Sequence, residues 1–148
     1  MLKGIHPLLT ADLLHALAGM GHGDEIVLSD ANFPATRLGR GVIELPGSSA
    51  PEALDAVLTV FPLDAGTAST AVTMQVVGDP AEVPEAVAEF AAILARHGCA
   101  SSRMASLERH AFYERARGAA AVVRTGELRR YGNILLVKGV INHYDAPA

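Results

Sequence analysis

Residues that could do chemistry concentrate in two stretches of the chain. The first, residues 19–35, reads GMGHGDEIVLSDANFPA. His22 stands between two glycines and leads into a short apolar run, Glu25 to Ser29, that ends on Asp30; Asn32, Phe33 and Pro34 follow at once. An unperturbed imidazole titrates near pH 6.5, so His22 can give and take a proton around neutrality. The flanking glycines leave it sterically open. Asp30 comes at the end of the apolar run, where open α/β sheets place ligands. A carboxylate there can accept hydroxyl protons or hold an imidazole. The expectation is that His22 and Asp30 frame a buried strand and face one pocket. The residues alone leave the plainer alternatives open: a loop histidine beside a helix-capping glycine, and a turn aspartate.

The second stretch lies late in the chain. Glu108, Arg109 and His110 lead into Phe112-Tyr113-Glu114-Arg115-Ala116, and Arg130-Tyr131-Gly132-Asn133 leads into an apolar run. Arg, Tyr and Asn supply several donors, an acceptor and an aromatic face, which is what a neutral polyol requires. Taken singly, Arg109 and Arg115 read as a solvated helix face, and Tyr131-Gly132-Asn133 as an ordinary turn.

Both stretches need a scaffold, and the spacing of apolar residues predicts one. Thr10 can cap a helix over about 11–20 with Leu13, Leu14 and Leu17 on one face, ended by Gly21 or Gly23 in a left-handed conformation. Glu25 to Ser29 reads as a strand of the buried, parallel-sheet kind. Residues 31–40 read as loop and 41–45 as strand. Ser49, Pro51 and Glu52 have the spacing of a capping box and open a helix through Leu54, Val57, Leu58 and Phe61. A loop over 62–69 precedes a strand over 70–77. A helix over 85–97 is closed by Gly98. A short strand over 101–105, a helix over 112–116 that starts near Glu108, and strands over 119–125 and 134–140 complete the reading. The turn between the last two strands is long enough to reach a site. The tail, residues 143–148, is expected to be mobile. Alternating helices and apolar strands predict a single-domain α/β fold over 1–148: layered helix/sheet/helix, with a mostly parallel central sheet.

Bulk composition narrows the function. The chain has 148 residues, half of them hydrophobic, with no Trp, one cysteine and a formal charge of -4. One domain with a sizeable core fits that length. A mild negative charge argues against a nucleic-acid surface, which needs a basic patch. No stretch of about 18 uncharged apolar residues predicts a membrane span. Cys99 has no partner for an internal disulfide, and a reducing cytoplasm fits best. Gly19, Gly21 and Gly23 precede a strand instead of joining a strand to a helix, so they do not make a dinucleotide loop. No phosphate loop, HExxH or cysteine pair is present. His22 with Asp24 remains a minor candidate for a metal. Cys99 reads as an inert small residue.

Several segments, in order and spread over nearly the whole chain, resemble the fucose mutarotase/ribose pyranase family, on its fucose side. They are MLKGIHPLL, GMGHGDEIVLSDANFPA, RHAFYERA, VVRTGE and YGNILLVKGV. The resemblance implies a cofactor-free isomerase, without metal, that interconverts the α and β anomers of a free monosaccharide. It also implies an α/β subunit assembled into ring-like homo-oligomers, often decamers, with pockets near subunit contacts. By position, His22 matches the proton-transfer histidine, and Asp30 and Arg109 match sugar-binding residues. Tyr131, Gly132 and Asn133 match the late binding segment, with Tyr131 or a water as the second proton carrier. The ribose branch has a histidine at Arg109 and an alanine at Gly132, so both positions favour fucose. Glu108 departs from the asparagine expected there, and the tail after Val140 is longer. The alternatives are a D-ribose pyranase and a non-catalytic sugar-binding protein accessory to transport.

Overall fold

β1 (Glu25–Ser29) lies at the centre of the sheet because its residues are apolar on both faces. Ile26, Val27 and Leu28 are fully buried, and successive side chains enter opposite layers. The structure, a computed structural model, describes residues 1–144. Its other strands are β2 (Val42–Leu45), β3 (Ala71–Met74), β4 (Met104–Leu107), β5 (Ala121–Thr125) and β6 (Ile134–Val137). They form one six-stranded sheet in the order β2-β5-β1-β6-β3-β4. β2, β5 and β1 pair in parallel, as do β3 and β4; β6 alone runs against its neighbours β1 and β3. The expected mostly parallel sheet is therefore present, with one reversed strand.

Helices cover both faces. α1 (Ala11–Gly19), α3 (Ala50–Leu58) and α4 (Glu85–Arg96) close one core with Ile26, Leu28, Val123, Ile134 and Leu136. α2 (Ala35–Leu38) and α5 (Arg109–Arg117) close the other with Val27, Val72, Val122 and Leu135. Caps set the helix starts. The Thr10 hydroxyl accepts from the Leu13 amide at 3.3 Å. Ser49 Oγ accepts from the Glu52 amide at 3.2 Å, while the Glu52 carboxylate accepts from the Ser49 amide at 2.7 Å, which completes the capping box.

Four local expectations are corrected. The loop over 31–40 contains the single turn α2, which follows Pro34 and has no side-chain cap to announce it. α1 ends on extended Met20, and the left-handed glycine is Gly23, in the following turn, at φ 82°. The strand expected over 101–105 begins later: Ser101–Arg103 forms one 3₁₀ turn and β4 follows from Met104. β1 spans the residues read for it, while β2, β3, β5 and β6 are shorter than read, because pairing with neighbours and not β-propensity ends them. Of the tail expected to be mobile, residues 145–148 lie outside the described residues.

Candidate functional site

Topology decides which residues can meet. β1, β2, β3, β4 and β5 all point their C-terminal ends to one edge of the sheet. β6 runs the other way and lies on the far side of β1 from β5. The connection from β5 to β6, residues 126–133, must therefore pass over the C-terminal end of β1. That crossing sets Tyr131, Gly132 and Asn133 against Asp30. α5 starts from the end of β4 at the same edge, so Arg109, in its first turn, joins them.

The result is a cavity of about 310 Å³ lined by Asp30, Phe33, Arg109, Tyr113, Tyr131 and Asn133, with Asn32, Met74, Arg129 and Arg130. Its polar side is built around Asp30, which is 7% exposed. The Asp30 amide donates to Asn133 Oδ1 at 2.9 Å, and Asn133 Nδ2 donates back to Asp30 Oδ2 at 3.1 Å. The Asn32 amide donates to Asp30 Oδ1 at 3.0 Å. Burial pushes the Asp30 carboxyl up from its ordinary 3.8, against the pull of hydrogen bonds from Asn32, Phe33, Asn133 and Gly132. The apolar side is aromatic. Phe33 packs edge-to-face on Phe112 and Tyr113, with ring centres 6.0 and 5.6 Å apart.

Tyr131 adopts φ 58°, a left-handed conformation that costs a bulky side chain about 1–3 kcal/mol. Its surroundings hold it there. The Val77 amide donates to Tyr131 Oη at 3.1 Å, which leaves the phenol proton free to be donated. Gly132 has no room for a side chain: a Cβ would lie 2.8 Å from Glu127 Cγ and 3.5 Å from Asp30 Cβ. Glu127 is itself buried. Its carboxylate accepts from the Arg129 amide at 3.0 Å, from Arg129 Nε at 2.9 Å and from the Ala50 amide at 3.4 Å, at the start of α3. Arg129 also bonds Glu89 at 2.6 Å and Glu85 at 3.2 Å on α4. The hydrogen bonds from Arg129 hold the Glu127 carboxyl below the usual carboxylate range. Among the described residues the buried Arg109 Nε has no hydrogen-bond partner, and it is a donor that a ligand oxygen would satisfy.

His22 is not in this cavity. Five residues of β1 separate it from Asp30, about 16 Å at roughly 3.3 Å per residue. Within one chain the expected shared pocket is thus contradicted. His22 instead lines a cavity of about 450 Å³ at the opposite edge, among Leu14, Leu17, Met20, Phe61, Val140 and Ile141. Its loop is tied down: the Gly23 amide donates to the Lys138 carbonyl at 2.8 Å, and the Gly21 amide donates to the Asp24 carboxylate at 2.7 Å. The imidazole itself is 60% exposed, with Nε2 3.1 Å from Asp64 Oδ1.

The remaining candidates have structural roles. Arg115, at the far end of α5, pairs with Glu25 at 2.7 Å and does not line the Asp30 cavity. Glu108 caps α5 by accepting from the His110 and Ala111 amides at 2.9 and 3.2 Å, a role that asparagine also fills well. Cys99 is buried, and burial raises its thiol, as an inert cysteine requires. Asp24 is engaged by its own turn, and no group of three metal-ligating side chains occurs among the described residues. Asp64 and Glu127 escaped sequence reasoning. Asp64 carries a local signal, the Asp-Ala-Gly-Thr turn, but nothing that ties it to His22.

Comparison with known proteins bears on the family and the fold. Residues 3–141 match the model of the RbsD / FucU transport protein family. The chain is 47% identical over 146 residues to a human protein named fucose mutarotase, covering 95% of this chain and 94% of that one. It superposes with a TM-score of 0.90 and 41% identity on the Streptococcus pneumoniae fucose mutarotase solved in complex with L-fucose, covering 95% of this chain and 99% of that one. Against Bacillus subtilis RbsD complexed with D-ribose the TM-score is 0.69 at 25% identity, covering 95% and 99%. With matching sequence, matching fold and nearly full coverage, the chain belongs to the RbsD / FucU transport protein family.

Proposed function

We propose that the chain is a mutarotase that interconverts the α and β anomers of L-fucose by acid–base opening of the sugar ring. The observation that carries this reading is the Asp30–Arg109–Tyr131–Asn133 constellation. It offers an anionic acceptor, a donor without a partner, a free phenol proton and an aromatic wall, all at the carboxyl edge of the sheet. A small polyol fits that set, and Asp30 and Arg109 orient its hydroxyls. Arg109 and Gly132 distinguish the site from the ribose pattern, and the relatives' names point the same way.

In the reaction, His22 takes the proton from the anomeric hydroxyl as C1–O1 becomes a carbonyl. The electron pair of the breaking C1–O5 bond moves to O5, which takes a proton from the Tyr131 hydroxyl or a water. The aldehyde turns and the ring recloses, returning both protons. Such acid–base help is worth roughly 10²–10⁴-fold.

His22 and the Asp30 cavity lie at opposite edges of one chain, so the complete site requires a second copy. A neighbour contributes its His22 edge to the first copy's Asp30 cavity, and repetition of that head-to-tail contact makes a ring-like homo-oligomer such as a decamer. Support comes from the apolar surface beside His22, where Val60, Val140 and Ile141 are 38%, 56% and 66% exposed. Action in the cytoplasm fits the single unpaired cysteine. Among the described residues no helix is long and apolar enough to cross a membrane.

The test is NMR exchange spectroscopy on equilibrated L-fucose, with D-ribose in parallel. Faster anomer exchange of fucose, lost in His22→Ala, is expected. Ligand line shifts with both sugars but no faster exchange would replace the enzyme with a binding protein.

A further inference from the structure

We propose that Asp64 is a positioning residue that holds Nε2–H of His22, so that Nδ1 is the nitrogen that carries the proton. The inference rests on the mutarotase reading and deepens it. His22 Nε2 is 3.1 Å from Asp64 Oδ1, across 42 residues of sequence. Unlike the imidazole, Asp64 is firmly placed. Its Oδ1 accepts from the Gly66 amide at 3.2 Å and its Oδ2 from the Thr67 amide at 3.1 Å. Its own amide donates to the Val137 carbonyl at 3.0 Å, and its carbonyl accepts from Arg103 Nη2 at 2.8 Å. Gly139 closes against the same backbone, where a Cβ would lie 2.9 Å from Asp64 Cα.

The Gly66 amide, followed by the His22 ring, keeps the Asp64 carboxyl below its ordinary range. At neutral pH it is ionised and can only accept. Nε2 must then donate, which fixes the tautomer and leaves the Nδ1 lone pair free to take the anomeric proton. Other charges near the ring are committed elsewhere. The Asp24 carboxylate accepts from the Gly21 amide at 2.7 Å. Lys138 Nζ donates to the Leu17 and Met20 carbonyls at 2.8 and 2.6 Å, closing the end of α1. Holding an imidazole by a carboxylate on its far nitrogen is the general way to set a base's tautomer.

The experiment reads the ¹⁵N shifts of the neutral His22 ring in the full-length protein, with anomer exchange of L-fucose, in wild type and Asp64→Asn. Asparagine keeps one acceptor oxygen, for either the Gly66 or the Thr67 amide, and can turn its NH2 toward the ring, so Nε2 is no longer required to donate. We expect an Nε2–H tautomer in the wild type, a mixture in Asp64→Asn, and exchange at saturating sugar reduced about tenfold with half-saturation unchanged. A wild-type ring protonated on Nδ1 overturns the proposal, even if the variant fails to fold. So does Asp64→Asn with full exchange, or slowed exchange with the tautomer unmoved. Full exchange in His22→Ala would instead defeat the mutarotase mechanism itself.

Discussion

The two ends of β1 hold the two groups of residues proposed for the chemistry, and they are built in opposite ways. At the C-terminal end Asp30 is buried, bonded reciprocally to Asn133 and set beneath a strained tyrosine. At the N-terminal end His22 is exposed on a glycine-flanked turn, with one carboxylate on its ring and apolar surface around it. A binding half must hold several hydroxyls at once, so it gains from being rigid before the sugar arrives. A proton carrier needs access and one correct tautomer, and burial in the free subunit would cost it both. On the proposed mechanism, the chain finishes its binding half by itself and leaves the proton-transfer half to be covered on assembly.

That contrast predicts effects of different kinds at the two ends. The largest belongs to Asp30→Asn. Losing a charge-assisted acceptor is worth about 1.5–3 kcal/mol, roughly 10–100-fold in sugar affinity. Stability should move the other way. The folded carboxyl of Asp30 is raised above its ordinary 3.8, so the native state holds that proton longer than the unfolded chain. Wild-type stability from this group is therefore lost as pH rises through that window. Asp30→Asn should match the wild type in acid and equal or exceed it at neutral pH, as urea unfolding at both would read. A variant that binds normally, or unfolds more easily at neutrality, would break the comparison.

A smaller effect is expected from Glu127→Gln, which leaves the shape but removes the charge that holds Arg129. Unfolding should be easier by about 1–3 kcal/mol, with weaker sugar binding as the 126–133 crossing loosens. The depressed Glu127 carboxyl gives its stability above the ordinary 4.5 and loses it as pH falls through the folded value. The penalty should accordingly fade in acid. Smallest is Gly132→Ala, whose Cβ meets Glu127 Cγ at 2.8 Å. Relief by a small shift costs about 1 kcal/mol and several-fold in fucose affinity, read by calorimetry. All three variants should leave the fold of the His22 turn within their own chain unchanged.

Much of this was legible in the sequence where the signal is local. The capping box at Ser49 and Glu52, the buried run of β1 and the polar cluster after β5 each announce themselves within a few residues. Of the six residues singled out as the site, five line or pack against one cavity at the carboxyl edge of the sheet, and His22 lies at the opposite edge. What escaped depends on distant partners. β4 is a half-buried edge strand whose register is set by β3, so its own pattern placed it too early. The reversal of β6 has no local marker, yet it carries the 126–133 crossing over Asp30. A buried strand framed by two reactive groups suggests one pocket for His22 and Asp30, but an extended strand is what keeps them apart. Asp64 was invisible as a partner because only the fold brings it to His22.

The central claim is that one site takes His22 from one copy and Asp30 from the next. Mixing two impaired variants tests it most directly. His22→Ala, without its proton carrier, and Asp30→Asn, with its weakened sugar binding, are unfolded together, refolded into mixed assemblies and assayed by exchange NMR at fucose far below half-saturation, where each alone gives little exchange. Where a His22→Ala copy presents its intact Asp30 cavity to the intact His22 of an Asp30→Asn copy, a complete site forms. The account predicts recovery of about a quarter of wild-type activity, one contact in four in a random mixture. Mixed assemblies that form and stay inactive would place both halves of the chemistry in a single chain and contradict it.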